Sequence, residues 1–272
     1  LMQLCLKIRT VLSFIQQIQK LEQDKNFVYF FRGHSKKTFS IQPSIYRENN
    51  WINSEDILFK ELVSHNPEEF KECQSEFLVK MQHYSLPTRL LDLTTNPLIA
   101  LYFAACEFDN NGGEVLVFKI PRKDIKYYDS DTVSVLANIS KCSNKFECDD
   151  TLDLMNFNEE EHIGLLLHQI GTEKPHFKRV IDPKDINRVL CVKVKQNNPR
   201  IINQSGAFLL FGINKVKGVM ADLDSSWLPL SDKLFIHDKK KIRNDLELMG
   251  ITASFVYPEM ENYSKKLKEI YK

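Results

Sequence analysis

The stretch "NFVYFFRG", residues 26–33, decides how the rest of the chain is read. Its β-branched and aromatic residues stop at a glycine, the composition of a strand that ends in a sharp turn or a close backbone approach. Arg32 therefore stands at a strand end beside Gly33. Its planar guanidinium offers five donors and suits phosphate or carboxylate. Two roles are open to it: a pyrophosphate clamp, or a structural ion pair with a partner such as Asp92.

Upstream, Leu4, Ile8, Val11, Ile15, Ile18 and Leu21 recur every three or four residues, which predicts an amphipathic helix within residues 1–25 that packs on the domain. Downstream, a helical segment is expected from Ser54 through Leu62. Asn66-Pro67 resembles a cap with proline at the first helical position, and Phe70, Cys73, Phe77 and Met81 continue a helical face. Pro87 ends that helix and Thr95-Asn96-Pro97 starts another, with Ala100, Leu101, Ala104 and Ala105 on a closely packing face. "GEVLVFKIP" is a strand closed by Pro121, and residues 129–150 are expected to be loop-rich. "EEEHIGLLLHQI" is helical; "VLCVKVK", "SGAFLLFGI" and "DKLFIHD" are strands. A helix over 240–249, a strand "ITASFVYP" and a closing helix from Met260 complete the chain. The expected fold class is α+β, a mixed or antiparallel sheet core with helices, in a single domain over residues 26–272.

Composition limits the function classes. The chain has 272 residues, 43% hydrophobic and 27% charged, and 37 Lys and Arg nearly cancel 36 Asp and Glu, so no global basic field points to nucleic acid. Six cysteines without a Cys-x-x-Cys pair are expected to be reduced core residues, and Cys142 and Cys148 lack the second pair a zinc site needs. No apolar run reaches the roughly 20 residues of a membrane span, so a cytoplasmic protein without a membrane partner is expected. The dinucleotide glycine fingerprint, the Walker loop, His-Glu-x-x-His and Gly-x-Ser-x-Gly are all missing.

Candidate site residues collect elsewhere. His83, Tyr84, Thr88, Arg89 and Asp92 crowd around the helix-breaking Pro87, where loops gather binding groups. The bland alternative is local: Asp92 capping a turn, Arg89 pairing with it, and His83 closing a helix. Gln204 precedes Ser205-Gly206-Ala207, a strand entrance with room for a ligand or an ordinary turn. Glu259 follows Pro258, where a carboxylate suits either a developing positive charge on a sugar or a helix N-terminus.

"FFRGH", "PSIYR", "MQHYSLPTRLLDLTTNPLIALYFA", "NQSGAF" and "LMGITASFVYPEMENYSKKL" together resemble the FRG domain, a bacterial and phage-associated family named for its Phe-Arg-Gly triplet. The resemblance runs from Phe30 to the C-terminus, with Ser85 and Leu93 where Gly and Trp are expected. The early Arg, a middle Thr-bearing strand or loop and a late Glu also look like the three-part site of ADP-ribosyltransferases. That resemblance implies an ADP-ribosyltransferase-like fold and NAD as substrate. Arg32 would hold the NAD phosphates, with Gly33, His83, Tyr84, Arg89, Asp92 and Gln204 around the cofactor; Thr88 would shape the ribose pocket, and Glu259 would support attack at the anomeric carbon. The serine-threonine-serine of the middle motif is absent, and Gln204 stands ready to supply part of the late motif. The implied protein is a toxin or antiphage defence effector with a protein or nucleic-acid acceptor and an inhibitory or antitoxin partner. The alternative is a non-catalytic module that binds a nucleotide, a nucleic acid or a protein.

Overall fold

The computed structural model describes residues 7–70, 74–228, 233–259 and 267. Ten strands run in chain order: β1 (Lys7–Ile8), β2 (Phe27–His34), β3 (Leu90–Thr94), β4 (Gly113–Pro121), β5 (Ile125–Tyr127), β6 (Val189–Lys193), β7 (Gly206–Phe211), β8 (Ile213–Asn214), β9 (Val216–Met220) and β10 (Lys233–Ile236). The helices are α1 (Val11–Ile18), α2 (Asn49–Asn53), α3 (Glu55–His65), α4 (Gln74–His83), α5 (Pro97–Ala105), α6 (Asp131–Asn138), α7 (Leu154–Glu159), α8 (Glu161–Glu173), α9 (Pro199–Gln204), α10 (Lys239–Leu248) and α11 (Ala253–Val256). The mixed α+β class expected from the sequence is what the chain adopts.

Eight strands form one sheet in the order β1-β10-β4-β2-β3-β7-β6-β5, parallel at its two outermost pairs and antiparallel between them. Strand β2 pairs with β4 along its whole length, from Phe27 opposite Pro121 to His34 opposite Glu114. Strand β3 likewise pairs with β7 throughout. Between β2 and β3, however, only Phe31 and Thr94 are paired. The sheet is thus two well-knit four-stranded halves joined at one position, and the seam between them is where a ligand can reach the ends of central strands.

Alternating side chains explain the layers. Phe30, Leu91, Leu93, Leu116, Phe118, Leu209 and Phe211 fill one face across both halves, under Trp227 and Ala221. The other face is divided. Phe31, Val115, Val117 and Ile236 pack against α1, α5 and α10, whereas Leu90, Leu190, Val192, Phe208 and Leu210 pack against α4, α6 and α8. Helix α5 begins as its sequence dictates, with the Asn96 side chain accepting from Leu98 N at 3.0 Å and Pro97 in the first turn. Its alanines matter because they let it lie almost on the sheet. A Cβ at Gly33 would stand 2.0 Å from the Ala100 carbonyl oxygen and 2.6 Å from the Ala104 nitrogen, and one at Gly113 would stand 2.3 Å from the Ala104 oxygen.

A buried charge cluster ties the loop before β3 to the rest. Arg89, with no exposure, donates from Nε to Glu55 Oε1 at 2.8 Å, from Nη2 to Oε2 at 2.5 Å, and from Nη1 to the Phe211 carbonyl at 3.1 Å. Lys217 joins from the far side, its Nζ 3.2 Å from Glu55 Oε2 and donating to the Cys142 carbonyl at 2.5 Å. Burial works against the Arg89 charge, but Glu55 more than offsets it and the Arg89 pKa is raised. Burial likewise opposes the Glu55 carboxylate, and Arg89 and Lys217 together hold its pKa below the usual value.

Several elements depart from the sequence expectations. Asn66-Pro67 opens only the 3-10 turn Pro67–Glu69, with no side-chain cap from Asn66. Lys7 and Ile8 form an edge strand on β10 rather than the start of a helix, since Phe235 and Ile236 offer an unpaired edge, and α1 begins only at Val11 behind the Thr10 cap; Leu4 and Cys5 lie outside the described residues. Residues 90–94 are a strand. Part of the presumed loop 129–150 is α6, whose residues Val133 to Asn138 are all buried. Most consequential, "ITASFVYP" is not a strand: Thr252 caps the short helix α11, accepting from Phe255 N at 3.2 Å. Cys73 and the start of the closing helix at Met260 fall outside the described residues. Cys106, Cys142, Cys148 and Cys191 are free thiols. Among the described residues no helix is long and apolar enough to cross a membrane, and no group of three His, Cys, Asp or Glu is placed to hold a metal.

Candidate functional site

A cleft of about 180 Å³ opens at the seam, lined by Phe31, Arg32, Gly33, Asp92, Leu93, Thr94, Phe103, Arg200, Gln204 and Tyr257. Four separate parts of the chain build it: the ends of β2 and β3, helix α5, helix α9, and the turn after α11.

Arg32 is the fixed cation of the cleft. Its side chain is 15% exposed, donates from Nη1 to the Asp92 carbonyl at 2.8 Å and lies 3.9 Å from the Asp92 carboxylate. Its Nε donates to His34 Nε2 at 3.0 Å. Burial lowers the Arg32 pKa, Asp92 opposes that and Arg47 adds to it; an arginine so placed remains a cation. Asp92 is thus the partner expected from the sequence, and it leaves the guanidinium on the cleft wall.

The opposite wall is tied down by backbone chemistry. Asn198 caps α9, accepting from Arg200 N at 2.8 Å, and Pro199 occupies its first turn. Ser205 ends α9 in the left-handed region, φ 48°, so that the chain turns directly into β7. The Thr94 hydroxyl donates to the Gln204 carbonyl at 2.5 Å, and Thr95 N donates to the Ser205 carbonyl at 3.0 Å. Gln204 Nε2 donates to the Val256 carbonyl at 3.0 Å, which brings Tyr257 to the cleft. Arg200 lies over the Tyr257 ring at 4.8 Å and 3.6 Å from Glu259 Oε1. Burial pushes the Tyr257 hydroxyl up to about 12, although Arg200 opposes it.

The candidate residues divide accordingly. Arg32, Gly33, Asp92 and Gln204 line the cleft, and Glu259 stands beside it through Arg200. Gly33 is there for packing under α5 as well as for the wall. Arg89 is not at the cleft: a guanidinium with no solvent exposure and a bidentate carboxylate is bound within the interior. Thr88 is also turned inward, its hydroxyl donating to Gln82 Oε1 at 2.5 Å and its backbone N–H donating to Ser44 Oγ at 3.0 Å. Gln82 in turn donates to Asp92 Oδ1 at 2.7 Å, so Thr88 acts on the cleft only through two other side chains. Glu259 follows a helix rather than ending a strand.

His83 and Tyr84 line a neighbouring hollow of about 280 Å³ on the other side of α9, with Lys80, Lys195, Asn197 and Asn198. Burial, followed by Arg200, pulls the His83 pKa down to about 4, against the opposing pull of Asp92 and Glu259. The unfolded chain would bind a proton on His83 that the folded chain refuses, so this group's contribution to stability is complete above about pH 6.5 and is lost as pH falls toward 4. His83→Gln is expected to flatten that acid limb, as read from urea unfolding midpoints at pH 7 and pH 5. An unchanged pH dependence would show that His83 is not the group responsible.

Thr94, Phe103, Arg200 and Tyr257 were not singled out by sequence. The signal for Arg200 was present in the Asn198-Pro199 cap before it, which fixes a side chain at the start of a helix. Nothing local marks Tyr257.

Residues 27–112 match the FRG domain. The matched FRG segment carries β2, β3 and α5, hence Arg32, Gly33, Asp92 and Thr94, together with the internal Glu55–Arg89 pair. It covers less than half the chain and stops before Arg200, Gln204 and Tyr257, so the second wall of the cleft, and the sequence likeness drawn from "NQSGAF" and the closing stretch, lie beyond it. No curated protein and no solved structure matches the chain.

Proposed function

We propose that the chain is an NAD-dependent ADP-ribosyltransferase-like effector, a toxin or antiphage protein that transfers ADP-ribose to a macromolecular acceptor. The observation that carries this is the meeting, in one cleft, of an Arg at the end of an early strand, a Thr at the end of a strand that runs into a helix, and a polar residue at the entrance of a late strand. Three parts are expected from the likeness to ADP-ribosyltransferases, and in this reading two of them fall to other residues. The middle place falls to Thr94, which lines the cleft, rather than Thr88, which does not. The late strand entrance belongs to Gln204, with the Glu259 carboxylate nearby on Arg200.

The chemistry fits these positions. As the acceptor's nucleophile bonds to the ribose C1′, the C–N bond to nicotinamide breaks, nicotinamide departs with the electron pair, and the acceptor's proton passes to solvent or a base. Positive charge builds on the ribose, so a held pyrophosphate and a nearby carboxylate lower the barrier. Arg32 is placed for the first task. Glu259 is placed for the second once a ligand phosphate competes for Arg200.

Removing one charged hydrogen-bonding partner costs about 1.5–3 kcal/mol. Arg32→Ala is therefore expected to weaken NAD binding by roughly 10- to 150-fold in a calorimetric titration while leaving the circular dichroism unchanged. Nicotinamide release in the presence of acceptor is expected to disappear in Glu259→Gln. Equal NAD affinity in both proteins would remove the role given to Arg32.

One observation favours a second function, a module that binds a nucleotide, nucleic acid or protein without chemistry. The strand entrance carries an amide, Gln204, and the nearest carboxylate on that wall is already paired with Arg200. NAD that binds through Arg32 and is never converted would select this alternative.

A further inference from the structure

Beside the cleft, a buried relay runs from β4 through β2 to Arg32. Glu114 Oε1 lies 3.1 Å from His34 Nδ1, and the two side chains are 4% and 1% exposed. On the other side of the same ring, His34 Nε2 is 3.0 Å from Arg32 Nε. An arginine Nε–H can only donate, so His34 Nε2 must be the acceptor, and the imidazole's single proton must stand on Nδ1, where Glu114 accepts it. The cross-strand register produces this arrangement, since His34 faces Glu114 directly and Arg32 lies two residues before His34 on the same side of β2.

We propose that His34 and Glu114 are positioning residues that fix the Arg32 guanidinium on the cleft wall, and that only the neutral, Nδ1-protonated form of His34 does so. The inference rests on the reading of Arg32 as the phosphate-holding group. A second proton on Nε2 would set N–H against N–H at 3.0 Å and place a cation beside a cation, so Arg32 would leave its position. Around the ring the charged groups are Arg32 on its own strand, Glu114 on β4 and Arg47 from the turn at 44–47, and the edge of Phe39 packs on it at 6.1 Å. Burial lowers the His34 pKa from 6.5, Glu114 opposes that, and Arg32 and Arg47 assist it. The relay is therefore intact at neutral pH and is lost in acid.

Two measurements on the full chain test this. The first needs no ligand: long-range 15N–1H correlation of the imidazole at pH 7.5 is expected to show His34 as the Nδ1–H tautomer, with acid titration shifting the Arg32 Nε resonance as His34 gains its second proton. An Nε2–H tautomer or a doubly protonated ring at pH 7.5 would overturn the proposal. The second is NAD affinity against pH. Where only the neutral ring supports binding, affinity falls by about tenfold per pH unit below the His34 pKa. Glu114→Gln keeps an acceptor for Nδ1–H while removing the charge that favours an imidazolium, so its affinity at pH 7.5 is expected to stay near wild type and its acid loss to begin at lower pH. Glu114→Ala is expected to lose affinity at every pH. Matching pH profiles in wild type and Glu114→Gln would also overturn the proposal. If the wild type does not bind NAD at all, the function proposed above fails, and the tautomer measurement still decides whether the relay positions Arg32.

Discussion

Gly33→Ala is expected to destabilise the fold by about 4 kcal/mol or more. Its Cβ would stand 2.0 Å from the Ala100 oxygen, 2.6 Å from the Ala104 nitrogen and 2.8 Å from the Phe103 Cβ. Backbone atoms cannot swing aside as a flexible side chain does, so α5 would have to lift off β2. The alanines that line this contact, Ala100 and Ala104, are fully buried and would lose their packing together. Phe103 lines the cleft, so the displacement would reach the cleft wall even in molecules that stay folded. Urea unfolding is the direct measurement. A Gly33→Ala protein with the wild-type midpoint would show that α5 does not sit where described. Set beside Arg32→Ala, which is expected to keep its fold and lose its ligand, this separates two adjacent residues of the Phe-Arg-Gly triplet into a binding group and a packing group.

The second large effect belongs to the buried charges. Glu55 faces two buried cations, Arg89 and Lys217. Glu55→Gln keeps the shape but leaves both cations uncompensated, and breaking a buried pair in this way costs about 3–5 kcal/mol. Lys217→Met should cost clearly less, because it leaves a neutral bidentate Arg89–Glu55 pair and removes an ammonium whose burial already lowers its pKa. Chemical denaturation of the two variants checks the order. Equal losses, or a larger loss for Lys217→Met, would sink this account of the cluster. Because Arg89 also donates to the Phe211 carbonyl at the end of β7, the damage should extend to the half of the sheet that carries Gln204.

Local signals carried much of the fold. The strand β2, the apolar runs of β4, β6 and β7, the Asn96-Pro97 start of α5 and the apolar period of α8 are each properties of a few consecutive residues, and each is found where the sequence places it. Arg32 and Gly33 belong to that legible set, as does Gln204 at its strand entrance, because a strand end and a Ser-Gly turn are local facts.

What the sequence could not decide was set by contacts between distant segments. Residues Val133 to Asn138 of helix α6 are all buried, polar Ser134 and Asn138 included, so the segment lacks the exposed polar face that would mark it locally. Strand β3 is only five residues, buried on both faces apart from Asp92, and exists because β7 pairs with all of it. The β-branched and aromatic "ITASFVY" folds as a capped helical turn because Gln204 and Asn203 donate to the Val256 and Phe255 carbonyls there, overriding a strand propensity that is itself weak. The same non-local pairing chose between two arginines: Arg89 is drawn inside by Glu55, and Arg32 is left on the wall of a seam that exists only because β2 and β3 meet at Phe31 and Thr94 alone. The sequence by itself determined that a strand would present Arg32 at its end; only the tertiary structure, through strand partners fixed by register and burial, decided which residues would face it.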